Sequence, residues 1–173
     1  MGQSRDAQRL QRLAKNQVHA CVLVDRPKGF ARAADARLAA GVDEARPREV
    51  IDALCSRLAD EDRDPTIEEH LADGVFLGVT ATDLVVADTS RISGRPKALI
   101  RREPITDIRV RWLDDERQGL RSRILVLEFT DGRWTLLATP WKRLIPDDAV
   151  RLVDALGSRA RRVPRPEIGS PRG

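Results

Sequence analysis

Gly74-Val75-Phe76-Leu77-Gly78-Val79-Thr80-Ala81-Thr82-Asp83-Leu84-Val85-Val86-Ala87 divides this chain of 173 residues in two. Upstream of it, most apolar residues recur at helical spacing. From Gly74 onward the period falls to two, and turn residues return about every 8 to 12 positions, the pattern of an antiparallel barrel or sandwich. The run itself reads as a hairpin, two apolar strands around Ala81-Thr82-Asp83.

Downstream, the alternation predicts six strands, over residues 75–80, 84–88, 98–102, 105–113, 123–130 and 133–139. Asp131-Gly132 joins the last two, since Asp-Gly readily adopts the positive φ angles of a tight turn. Pro146 then opens a helix with Asp147 and Asp148 in its first turn and Ala149, Val150, Val153 and Leu156 on one face. Six short strands leave an open apolar end, and one amphipathic helix after the last strand is the simplest cover for it.

Upstream, residues 4–16 suit a short helix with Leu10 and Leu13 on one side. Residues 18–24, with the β-branched run Ala20-Cys21-Val22-Leu23-Val24, have the form of a strand buried on both faces. Helical spacing returns over 30–41 and most clearly over 47–58, where Val50, Ile51, Leu54, Cys55 and Leu58 share a face. Asp64-Pro65 opens a further short helix that ends near Gly74. Residues 1–73 are therefore mostly helical, and the fold class is α+β.

Charged residues make up 34% of the chain and hydrophobic ones 41%, a balance that fits a soluble protein with a real core. The formal net charge of +4 is concentrated after Ser158, in Arg159, Arg161, Arg162, Arg165 and Arg172. Residues 161–173, rich in Pro, Gly and Arg, read as a disordered basic tail. Arginine far outnumbers lysine, as expected of a GC-rich, bacterial genome. No apolar h-region opens the chain and no run approaches the ~20 residues of a membrane span, so the expected compartment is the cytoplasm. Cys21 and Cys55 lie among apolar neighbours, where a thiol acts as a small hydrophobe. His19 and His70 have no Cys or His at ligand spacing, and no Gly-rich phosphate loop occurs, so no catalytic, metal or cofactor residue is assigned.

Residues 74–87, with Thr80-x-x-x-Leu84 between two apolar strands, resemble the opening hairpin of bacterial pleckstrin-homology-like (PH-like) domains. Ile105-Thr106-Asp107-Ile108 is similar to a later strand of that family, Leu127-Glu128-Phe129-Thr130-Asp131-Gly132 to its penultimate hairpin, and residues 147–160 to its capping helix. The resemblance covers 74–160 and implies a PH-like antiparallel β-barrel. Such domains have a seventh strand, which residues 18–24 would supply across a helical insertion. The resemblance carries no catalytic residue, so the chain is expected to be no enzyme. It also implies an exposed strand edge beside the last helix, where related phosphotyrosine-binding domains accept an extended peptide, and a tendency to homo-oligomerise.

Three sets of candidate binding residues follow. Arg91, Arg95 and Lys97, in the Ser- and Gly-containing loop 89–97, form either an anion site or a solvated hairpin loop. The family's phosphoinositide loop is disfavoured, because the turn 81–83 has no cation. Trp141 and the apolar face Val50, Leu54 and Leu58 are candidate partner contacts. Arg159, Arg161, Arg162 and Arg165 offer salt-sensitive attraction to nucleic acid or anionic lipid, or merely a solubilising tail. Arg101, Arg102, Arg109, Arg111, Arg121 and Arg123 alternate with apolar residues and are read as a mixed, solvated sheet face. The function expected is that of a non-catalytic binding or scaffolding module with a protein partner. The alternative is membrane-surface or nucleic-acid association through the tail and the 89–97 loop.

Overall fold

The computed structural model describes residues 4–26 and 63–163. The helices expected over 30–41 and 47–58, with Val50, Leu54, Cys55 and Leu58, and the tail from 164, with Arg165 and Arg172, lie outside the described residues. The described chain is α+β, with two four-stranded sheets and a helix after the last strand of the second hairpin.

The first sheet is antiparallel throughout, in the order β1 (Ala20–Val24), β2 (Val75–Val79), β3 (Asp83–Thr89), β4 (Pro96–Pro104). Both of its faces are covered, which is why residues 74–87 are almost continuously apolar rather than alternating. One face, with Val22, Val24, Leu77, Val79, Leu84 and Val86, joins the main core. The other, with Cys21, Phe76, Val85 and Ala87, packs against Ala7, Leu10 and Ala14 of α1 (Arg5–Ala14). Ser4 caps that helix through a hydrogen bond accepted from the Ala7 amide at 3.2 Å. Helix and sheet approach closely at Gly78, where a Cβ would collide with the Leu10 side chain. Burial pushes the Cys21 thiol pKa far up, so it stays protonated and unreactive. His19, expected inside the strand, is exposed just before it.

The second sheet has the order β7 (Trp134–Ala138), β6 (Leu120–Phe129), β5 (Ile108–Arg117), β8 (Ala160–Arg162). Its inward residues Val110, Leu125, Leu127, Phe129 and Leu137 meet the first sheet, and α3 (Asp147–Leu156) adds Ala149, Leu152, Val153 and Leu156 to the same core. Val150, expected on the apolar face of this helix, is exposed, and Leu152 takes its place.

The expected closed barrel does not form. The sheets meet at one corner through the paired backbones of Asp25 and Ala138, hydrogen-bonded both ways at 2.8 and 2.9 Å. At the passage from β4 to β5 the ladder stops, because Pro104 offers no amide hydrogen and residues Ile105–Asp107 turn as a 3₁₀ helix. The strand expected over 105–113 accordingly starts at Ile108. A pin holds the two sheets together. Asp64, fully buried, caps α2 (Pro65–Glu68) by accepting from the Thr66 and Ile67 amides at 3.0 and 3.3 Å. Its own amide donates to Trp134 O on β7 at 2.9 Å, and its carboxylate pairs with Arg101 on β4. Arg123 is thus buried and Arg101 nearly so, and neither is part of a solvated face, because each has found a carboxylate and an aromatic ring inside. No helix among the described residues is long and apolar enough to cross a membrane.

Candidate functional site

Two tripeptides of the same form, Arg109-Val110-Arg111 and Arg159-Ala160-Arg161, lie 50 positions apart in the sequence. In a strand, such a triplet sends both arginines to one side and the apolar residue to the other. The chain brings the two together. After α3 it reverses at Gly157 (φ 56°), makes the short 3₁₀ turn Gly157–Arg159, and returns along β5 as β8. The pairing is parallel, with Val110 beside Ala160, Arg111 beside Arg161 and Trp112 beside Arg162. Val110 and Ala160 face the core, so Arg109, Arg111 and Arg161 face out, while Arg159 stands in the turn just before β8. The Val163 amide donates to Trp112 O at 2.8 Å, and the Arg162 guanidinium lies over the Trp112 ring, 5.4 Å from its centre.

Arg161 and Arg162, expected in the disordered tail, instead belong to a sheet. One edge of β5 is paired over Val110–Trp112 by the chain's own β8. What is left beside β8 is an open cleft of about 600 Å³, lined by Arg109, Arg111, Arg159 and Arg161, with the hydroxyls of Thr106 and Ser158 and the carboxylate of Glu128.

The electrostatics of this cleft are unbalanced. Glu128, on β6, forms a two-pronged ion pair with Arg111, with one contact at 3.0 Å. The Arg159 side chain is turned toward the 3₁₀ segment, where Nε donates to Ile105 O at 2.7 Å. Arg109 and Arg161 are exposed and have no ion-pair partner among the described residues. Arg111 and Arg161 are also neighbours in register on the same face. Like charges placed directly opposite each other on a sheet cost stability.

The residues singled out from sequence fare differently. In the β3–β4 loop, Arg91 is held by Asp73, with contacts at 2.7 and 2.8 Å. The hydrogen bond that Arg91 donates to Asp73 raises the Arg91 pKa above its ordinary value. Lys97 faces Asp88 at 3.8 Å, and Arg95 is exposed beside Gly94. Two of the three cations of that candidate site thus already face acids. Trp141 is half-buried in the connection between β7 and α3, next to Lys142, whose backbone bridges to Arg121. Arg159 and Arg161, assigned to the tail, join Arg109 and Arg111, assigned to a solvated face. The repeated Arg-apolar-Arg triplet was the signal that could have linked them. Comparison with protein-family models, with curated proteins and with solved structures finds no match for this chain.

Proposed function

We propose that this chain is a non-catalytic binding module on a PH-like frame, and that it docks a protein partner on the cleft between β5 and β8. The strand order supports the frame: four antiparallel strands, then three, then a helix packed into the core between the sheets. The observation that carries the binding role is the in-register pair Arg111 and Arg161. A fold that roots two arginines side by side on one sheet face accepts a local cost, and such departures from local consistency concentrate where a ligand supplies the missing charge.

The test is capture of binding proteins on the immobilised full chain and on the variant R109Q/R161Q, followed by titration with each purified protein recovered. A protein that binds the wild type directly and loses that binding in the variant supports the module. Recovery of nucleic acid or lipid alone, equal for both forms and abolished at high salt, overturns it in favour of diffuse electrostatic attraction.

A further inference from the structure

Resting on the cleft reading above, we propose that the group recognised there is a phosphomonoester, presented by a phosphorylated side chain of the partner. The spacing of the cations is the first argument. Neighbouring strands lie about 4.8 Å apart and two residues along a strand about 6.6 Å, so the backbone positions of Arg109, Arg111 and Arg161 span a patch of about 5 by 7 Å. Arginines rooted so closely can converge on one compact dianion. A nucleic-acid backbone instead calls for cations strung along a path and aromatic faces for its bases, and the tryptophan nearest this patch, Trp112, faces the core.

The second argument is the behaviour of the carboxylate already present. Glu128 takes both prongs of Arg111 and leaves Arg109 and Arg161 unpaired. A carboxylate has two oxygens and one charge, enough for one guanidinium fork. A phosphomonoester has three terminal oxygens and close to two charges at neutral pH, so it can accept from two or three forks at once. Ser158, which also lines the cleft, adds a hydroxyl donor, whereas the Thr106 hydroxyl already donates to Asp107 at 2.9 Å.

The probes are N-acetylphosphoserine, inorganic phosphate and N-acetylglutamate, each titrated into the ¹⁵N-labelled full chain at matched ionic strength while the arginine Nε–Hε signals are followed. The expected result is saturable shifts of Arg109 and Arg161 with both phosphate compounds, little response to N-acetylglutamate, and affinity reduced about tenfold by either R109Q or R161Q. Both side chains are exposed, so an unchanged amide spectrum elsewhere verifies the fold of each variant. Stronger binding of N-acetylphosphoserine than of inorganic phosphate assigns the site to a phosphorylated side chain, whereas the reverse order assigns it to the free ion and removes the partner from the proposal. An equal response to N-acetylglutamate, or no saturation with any probe, overturns phosphoryl recognition. Phosphatase treatment of a captured partner separates the two readings. A partner that needs Arg109 and Arg161 but binds equally after dephosphorylation leaves the module standing and removes the phosphoryl group.

Discussion

The two ends of β5 carry opposite solutions to the same problem. Each end opens into a cleft, of about 650 Å³ around residues 113–116 and about 600 Å³ around residues 108–111. Both clefts are rich in charge. At the far end the pairings are complementary: Asp114 faces Arg123 and Glu116 faces Arg121, in register across β5 and β6. At the near end β5 offers Arg109 and Arg111 to a single acid on β6, and β8 adds Arg161 beside Arg111 on the other side. The number of charged side chains therefore does not distinguish a site from a structural surface. What distinguishes them is whether the chain neutralises its own charges.

The largest effect is expected from breaking the far end. Arg123 is buried, donates to both oxygens of Asp114 at 2.7 and 3.0 Å, and lies 4.2 Å over the Trp112 ring. Its remaining nitrogen donates to Ala149 O at 3.1 Å, which ties β6 to α3. Asp114→Ala leaves that guanidinium buried without a counter-charge, at an expected cost of about 3 kcal/mol in urea unfolding. Asp114 is itself about a quarter exposed, which sets the figure at the low end for such losses. A loss below about 1 kcal/mol would mean that solvent compensates Arg123 and that the two ends do not differ in kind.

The near end should respond with the opposite sign. Arg161→Gln removes one of two in-register like charges and is expected to raise stability by about 0.5 kcal/mol, while weakening ligand capture. Stability and binding moving in opposite directions on one exposed substitution is the signature of a charge retained for a ligand. A destabilised R161Q would place Arg161 in the structural class with Arg123. Arg162→Ala supplies the control from the same strand. It loses the contact over Trp112 and is expected to cost about 0.5 kcal/mol without affecting capture.

How much of this was readable beforehand follows from what each feature depends on. β1, β2 and β3 of the first sheet were legible because burial on both faces demands unbroken apolar residues. The hairpin at Asp131-Gly132 was legible because its turn demands a glycine, and Gly132 does sit at φ 92°, although Asp131 does not share the positive φ expected of it. β8 was not legible. Three residues, Ala-Arg-Arg, carry no periodicity, and a parallel neighbour 50 positions away is fixed by the path of the intervening helix rather than by local preference. The same limit hid Arg101 and Arg123. Alternation places a residue on a face, but it does not say whether a carboxylate such as Asp64 waits on the facing element. The site was half-visible, as two Arg-apolar-Arg triplets whose meaning lay only in their adjacency.

Salt gives the smallest and most discriminating difference between the ends. The Glu116–Arg121 pair is half-exposed, with nitrogen and oxygen 3.0 Å apart, and is attractive, so screening weakens it. The Arg111–Arg161 pair is exposed on the Arg161 side and repulsive, so screening relieves it. Raising sodium chloride from about 0.1 M to about 1 M shortens the screening length from about 10 Å to about 3 Å, below the strand spacing that separates Arg111 from Arg161. The stability advantage of R161Q over the wild type should therefore fade by a few tenths of a kcal/mol, and the disadvantage of Glu116→Gln should fade by a similar amount from the other side. Both variants converge on the wild type at high salt, one from above and one from below. Convergence of both from below would show that the guanidiniums beside β8 do not repel, and that the imbalance of the cleft is already met within the chain.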